Sequence, residues 1–176
     1  MDSHFRDVFK FCPTCGARSE SVGNIPFICT KCGFHFYFPP TIAVGAIIAD
    51  EQGQVLFIER ARDPGKGKLG LPGGFVDPGE TGELAVAREI QEEVGLITTE
   101  LKFLATFPNT YHYRGVISDI LDIFYVCQIN SWDELKVEES EVASYRLATP
   151  CEEIYQQMAF ESNQKAVKLF AEQNSL

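Results

Sequence analysis

"LPGGFVDPGETGELAVAREIQEEVGL", residues 71–96, places a glycine- and proline-rich turn directly before a stretch of helical character. Six acidic side chains lie between Asp77 and Glu93. Like charges at helical spacing repel one another unless positive charge is brought to them. Residues 81–94 read as a helix: Glu80, Thr81 and Glu83 suit its N-terminus, and Gly95 suits its stop. On that helix Glu89, Glu92 and Glu93 stand at i, i+3 and i+4 and share one face. Carboxylates with no histidine or thiolate beside them suit a hard cation, Mg²⁺ or Mn²⁺, of the kind usually shared with phosphates. A solvated helix face is the alternative. The stretch in front favours a site, because Gly73-Gly74 let the backbone pass close to a ligand and Pro78-Gly79 fix a turn.

Before this stretch, "TIAVGAIIAD" (41–50) and "QVLFIER" (54–60) are two apolar β-type runs split by the turn signal "DEQGQ", and they read as a hairpin. "ERARDPGKGKLGLPGG" (59–74) is a loop carrying Arg60, Arg62, Lys66 and Lys68. After it, "LKFLATF" and "ILDIFYVCQI" read as strands, and "TPCEEIYQQM" and "ESNQKAVKLFAEQ" as helices. Helices and strands in this order make the class α/β or α+β with a mixed sheet.

The first forty residues are a different module. Cys12/Cys15 and Cys29/Cys32 are paired across two residues, with thirteen residues between the pairs and a glycine, Gly16 or Gly33, after each. Four thiolates so spaced suit a closed tetrahedral Zn²⁺ site, which is structural. Two disulfides or four free thiols are the alternatives. A segment this short forms little hydrophobic core, so metal binding would supply folding free energy. His35 is read as an ordinary side chain, and Pro39-Pro40 as the boundary. The expected division is 1–38, a zinc ribbon, and 39–176, the larger domain.

The 176 residues carry a net charge of −10. Residues 1–40 hold four basic and three acidic side chains, and the remainder holds 11 and 22. That balance argues against broad nucleic-acid binding. No run of 18 apolar residues suggests a membrane span. The start of the chain does not read as a secretory signal, and a cytoplasmic location is expected.

From Gly74 to Leu96 the chain reads G, five residues, E, seven residues, then R-E-I-Q-E-E-V-G-L. This is similar to the Nudix box, with all nine specified positions filled. The ribbon resembles that of the NADH-pyrophosphatase-like branch. The resemblance implies an α/β/α sandwich with a mixed sheet. It also implies hydrolysis of nucleoside diphosphates linked to a further group, such as ADP-ribose, FAD or NAD(H). Carried over residue by residue, Glu89, Glu92 and Glu93 would bind the divalent metal, with the Gly73 carbonyl as an added ligand. Glu80 would support the loop–helix geometry, and Arg88 would hold a carboxylate in place. An acidic residue after the box often serves as general base. Among Glu138, Glu139 and Glu141, Glu141 is favoured, with a box glutamate as the alternative. Arg60, Arg62, Lys66 and Lys68 are candidates for phosphate contact. Tyr111 and Tyr113, read in a loop-like stretch with His112, and Phe107 are candidate walls for a base.

Two features depart from the branch. "LATFPNTYHYRG" (104–115) keeps Pro108 but not the Ser-Gln-Pro-Trp motif, and Leu69 replaces the common tryptophan before "LPGG". These departures count against NADH specificity, and NAD(H) stays among the candidate substrates with ADP-ribose and FAD. Cys127 and Cys151 are given no catalytic role. A nucleotide-sensing or nucleic-acid- or protein-binding regulator on a catalytically weak fold is the competing reading, and a protein-interaction role for the ribbon, such as homodimerisation, is compatible with the enzyme reading.

Overall fold

The computed structural model describes residues 2–175. It divides into two compact units: the residues up to Thr41 with Thr110–Ile120, and Ile42–Asn109 with the residues from Leu121 onward.

In the first unit β1 (Ser3–His4) runs into a single helical turn, α1 (Phe5–Val8), and two-residue strands β2 (Phe27–Ile28) and β3 (His35–Phe36) pair antiparallel. Phe27 is buried at the centre, with Phe9, Phe34, Phe36 and Phe38 around it. Phe9 meets Phe27 edge to face, with ring centroids 4.9 Å apart. Edge-to-face rings give a short chain more apolar contact than its length would suggest.

The remaining elements are β4 (Thr41–Ile48), β5 (Val55–Arg60), β6 (Leu69–Gly70), α2 (Gly82–Val94), β7 (Thr98–Tyr113), β8 (Val116–Ile129), β9 (Val142–Ala148), α3 (Glu152–Gln157) and α4 (Glu161–Asn174); they make up the second unit, except that Thr41 and the ends of β7 and β8 within Thr110–Ile120 belong to the first. β8 pairs with β4 and β7, and also in parallel with β1 at Ser3↔Val116. A second sheet has the order β6-β5-β9, antiparallel throughout.

The near-continuous apolar runs of β4 and β5 have a structural cause, since a strand covered on both faces has no polar side. Val44, Ala46 and Ile48 of β4, Leu56 and Ile58 of β5, and Tyr125 and Cys127 of β8 face Ala85, Val86, Ile90 and Val94 of α2. The alternate residues Ile47, Val55, Phe57 and Phe124 face Ile154 of α3 and Ala166, Val167 and Phe170 of α4. Period-two alternation thus fills two cores from the same strands, and the result is the α/β/α sandwich expected.

Two expectations are corrected. β4 and β5 are joined by a tight turn, in which Asp50 Oδ1 accepts the amides of Gln52 and Gln54. Beyond the single bridge Ala49↔Val55, however, they part into different sheets. They therefore do not form a hairpin, because each is claimed by another partner, β8 for β4 and β9 with β6 for β5. Residues 111–113 lie within β7 rather than in a loop, and the turn is at Arg114-Gly115, both at positive φ.

Gly45 on β4 sits under a ring: a Cβ there would lie 2.7 Å from Cε1 of Phe124, which is buried. Gly45→Ala is expected to cost about 1–3 kcal/mol by overpacking, read as a lowered denaturation midpoint at unchanged m-value.

Candidate functional site

α2 begins and ends where its sequence dictates. The Thr81 side chain accepts the amide of Leu84, and Gly95 closes the helix at φ 70°. These ends fix the rotation of the helix, so that Glu93 turns inward with Ala85, Val86, Ile90 and Val94. Glu93 is 6% exposed, and its Oε2 accepts the Gly73 amide at 2.8 Å.

Gly73 and Gly74 make this approach possible. Gly73 has φ 150°, and a Cβ there would sit 2.1 Å from the carbonyl oxygen of Val44. A Cβ on Gly74 would sit 2.4 Å from Oε1 of Glu89. The double glycine is thus required twice, by strand β4 below it and by a carboxylate above it.

Arg88 organises the carboxylates around α2. Its Nε and Nη2 donate to the two oxygens of Glu80, both at 2.9 Å. Nη1 donates to Glu89 at 2.8 Å and to Glu92 at 3.1 Å, and Nη2 also reaches the Phe75 carbonyl. Such a bidentate fork fixes direction as well as charge. The carboxyl of Glu80 is held below its ordinary range by that hydrogen bond. Glu89 is pushed up, chiefly by burial, against the opposing hydrogen bond from Arg88. Glu93 is pushed up to about 8 by burial, against the Gly73 amide, with the charges of Glu89 and Glu141 adding to the rise and that of Arg60 opposing it.

Glu141 stands immediately before β9, where Arg62 Nη1 donates to its Oε1 at 3.0 Å. The Ala61 amide donates to its backbone carbonyl. Glu138 and Glu139 make no such contact with Arg62. Arg60 is fixed in place: Nε donates to the Pro64 carbonyl at 2.8 Å and the guanidinium lies 5.1 Å from the Phe160 ring centre. Lys66 is exposed in the loop. Lys68 lines a cavity with Glu59, Ser144 and Arg146, on the face of β5 that carries Phe57. Tyr111 and Tyr113 belong to the first unit, where Arg114 stacks on Tyr113 at 5.1 Å. Phe107 packs against the buried ring of Phe124 at 6.1 Å. His112 Nδ1 lies 3.2 Å from Asp2.

Among the described residues the donor atoms of Cys12, Cys15, Cys29 and Cys32 all lie within 4.8 Å of one another, and no other group of acid, cysteine or histidine side chains converges so closely. The Sγ atoms of Cys12 and Cys32, and of Cys15 and Cys29, are 3.7 Å apart. Thiolates about 2.3 Å from a tetrahedral Zn²⁺ stand about 3.8 Å apart, whereas a disulfide requires about 2.05 Å. The sulfurs therefore fit a zinc ion and form no disulfide. Gly16 and Gly33, at φ 69° and 75°, each return an amide to the first cysteine carbonyl of their pair at 2.9 Å. His35 Nδ1 turns to the Gly33 carbonyl instead of the sulfurs. Burial raises the Cys12 thiol, but the amides of Cys15 and Thr14 and the thiols of Cys32 and Cys29 outweigh it and bring its pKa to about 6.

Three features carry no local signal in the sequence: the amide of Gly73 on Glu93, the stacking of Arg60 on Phe160, and a buried cluster at the start of α4. In that cluster Asp122 Oδ2 accepts from Ser162 Oγ at 2.6 Å and from Asn109 at 2.9 Å. Each joins residues at least thirteen positions apart.

Residues 39–170 match the NUDIX domain model. An ADP-ribose pyrophosphatase of Methanocaldococcus jannaschii is 45% identical over 109 residues, covering 60% of this chain and 64% of that protein. An NAD-capped RNA hydrolase, NudC, of Haemophilus influenzae is 28% identical over 144 residues, covering 80% and 51%. The chain thus spans between half and two thirds of the length of these curated relatives. A NUDIX hydrolase structure from Nitrosomonas europaea superposes with a TM-score of 0.67 at 24% identity, covering 94% of this chain and 93% of that one, and shares the fold. No helix among the described residues is long and apolar enough to cross a membrane.

The raised pKa of Glu93 sets the sign of a pH dependence. A carboxyl that titrates higher in the folded than in the unfolded chain destabilises the fold once ionised. With chelator present, stability is expected to fall as pH rises from about 4.5 to about 8, by roughly 2–5 kcal/mol. Glu93→Gln is expected to flatten that slope in denaturant titrations across the range, and saturating Mg²⁺ to reduce it.

Proposed function

The chain belongs to the Nudix family, and we propose that it is a divalent-cation-dependent pyrophosphohydrolase of nucleoside diphosphates linked to a further group, with ADP-ribose the leading substrate. The observation that carries the reading is the buried carboxylate of Glu93. It faces the charges of Glu89 and Glu141, and Arg88 spends its hydrogen bonds on Glu80, Glu89 and Glu92 instead. Oxygen donors of this kind, crowded and short of positive charge, fit Mg²⁺ or Mn²⁺. Glu89, Glu92, Glu93 and the Gly73 carbonyl would hold the cation. Bound there, it supplies charge against the pyrophosphate and lowers the pKa of water.

The chain's own groups do the rest. The Gly73 amide and the packing around α2 orient Glu93. Arg88, braced by Glu80 and the Phe75 carbonyl, positions Glu89 and Glu92. Arg60 and Arg62 present guanidinium groups to phosphate oxygens, the first already fixed against Pro64 and Phe160. Glu141 accepts the proton of the attacking water, and Arg62 holds it on the correct side of the cleft. The second phosphate departs as the leaving group. ADP-ribose is preferred because the 45%-identical relative is an ADP-ribose pyrophosphatase and the Ser-Gln-Pro-Trp motif is absent. In the ribbon Zn²⁺ is proposed as a structural ion on Cys12, Cys15, Cys29 and Cys32.

Purified protein with Mg²⁺ or Mn²⁺ is expected to release AMP and ribose 5-phosphate from ADP-ribose, with NADH and FAD turned over more slowly. Arg88→Ala is expected to lower kcat/KM by about 10–100-fold, as removal of a group that orients metal ligands does. Binding of ADP-ribose without turnover of any compound in the panel would favour the sensor reading instead. For the ribbon, metal analysis should find one Zn²⁺ per chain, and Cys29→Ser should remove it and the ordered signals of Phe27.

A further inference from the structure

A second cavity of about 380 Å³ lies between β5, β6, β9 and α3. Its floor is Phe57 and Leu69, both buried. It shares no lining residue with the cluster of Glu80, Arg88, Glu89, Glu92, Glu93 and Glu141. Strand alternation separates the two: Ile58 faces the α2 core, while Phe57 and Glu59 face the cavity.

The charges in it are unusual for this chain. Lys68 enters from the β6 side and Arg146 from the β9 side, with β5 between them. Among the described residues neither has a carboxylate within salt-bridge distance. Arg146 donates to a neutral partner, the amide oxygen of Gln157, at 2.6 Å. Glu59, on β5, accepts from Ser144 Oγ at 2.8 Å across the strand pair Glu59↔Ser144. The cavity therefore holds two cations and one carboxylate, in a chain whose residues 41–176 carry twice as many acidic as basic side chains.

Its size falls within the range of small-ligand sites. Two cations without ion-pair partners call for an anion, and guanidinium and ammonium together suit a phosphate. Glu59 would repel a ligand that is anionic throughout, but a carboxylate beside a hydroxyl accepts readily from further hydroxyls. Gln156 and Gln157 of α3 add polar groups along the wall. We propose that this cavity is a binding site for a sugar phosphate, with the phosphate on Lys68 and Arg146 and the sugar hydroxyls on Glu59 and Ser144. Lys68 then serves this cavity rather than the carboxylate cleft. The site requires no divalent cation and stands whether or not the chain cleaves ADP-ribose.

Titration of the ¹⁵N-labelled full chain in chelator separates the outcomes. Ribose 5-phosphate is expected to shift the amides of Gly67, Ser144 and Gln157 and to leave those of Gly73 and Glu93 unmoved, and to bind more tightly than inorganic phosphate. Lys68→Ala and Arg146→Ala, both at exposed positions, are expected each to weaken binding about tenfold or more, as loss of a charge-assisted hydrogen bond does. Glu59→Ala is expected to erase the preference for the sugar phosphate over phosphate alone. Shifts centred on Gly73 and Arg62 would overturn the proposal, since the anion would then occupy the carboxylate cleft. Equal affinity for inorganic phosphate in the unsubstituted chain, or no shifts at millimolar ligand, would overturn it as well.

Discussion

The contact between the Gly73 amide and the Glu93 carboxylate is the constraint on which the rest of the second unit depends. It places an acid in the side of α2 that packs on the sheet, at 6% exposure. Burying a carboxylate is expensive unless it is hydrogen-bonded and compensated. One amide satisfies one oxygen, and the surrounding core holds the arrangement in place. Ala85, Val86, Ile90 and Val94 bury the same side of the helix against β4, β5 and β8. The helix cannot rotate to expose Glu93 without exposing four apolar side chains. The fold thus holds a charge where an isolated helix would not keep it, which is how strained or costly groups persist at sites of function.

That constraint orders the neighbouring pieces. Gly73 and Gly74 must both lack side chains, one for the carbonyl of Val44 and the other for the carboxylate of Glu89. The turn from Phe75 to Glu80 must then return the chain to the start of α2, and Arg88 binds both ends of it, the Phe75 carbonyl and the Glu80 carboxylate. A single guanidinium so joins the loop to the helix and lies against Glu89 and Glu92 as well. The remainder of the cleft comes from distant chain. Arg62 and Glu141 are 79 positions apart and meet because β5 and β9 pair from Val55↔Ala148 to Arg60↔Val142, with a register shift at the end next to the site. A shift of this kind at the last pair of a ladder changes the direction of the side chains beyond it.

Much of this was legible in the sequence where the relevant contacts are local. The limits of α2 follow from Thr81 and Gly95, its acidic face from the spacing of Glu89, Glu92 and Glu93, and the clustering of sulfurs from two pairs of cysteines each with a glycine after it. What was not legible is set by partners far along the chain. The apolar runs of β4 and β5 have the same pattern whether they pair with each other or, as they do, with β8 and β9, since burial on both faces removes the alternation that would distinguish the cases. Residues 111–113 look loop-like by composition, yet lie in a strand because β8 supplies their pairing. Lys68 is indistinguishable in sequence from Arg60 and Arg62. Only strand alternation, which turns Glu59 and Phe57 away from Ile58, separates its surroundings from theirs.

The charge count around α2 argues for what the cleft must accept. Five carboxylates, Glu80, Glu89, Glu92, Glu93 and Glu141, are gathered there with three guanidinium groups, those of Arg60, Arg62 and Arg88. Arg88 is committed to Glu80, Glu89 and Glu92, and Arg62 to Glu141. The deficit falls on Glu93, the least exposed of the five, and appears there as a proton affinity shifted to about 8. A proton can cancel one charge, but it would not draw a second anion into the cleft. A divalent cation cancels the deficit and leaves charge over for a phosphate. On the function proposed above, an acidic cleft built in this way would attract its anionic ligand only after the cation is in place, and cation and phosphate would bind as a coupled pair rather than independently.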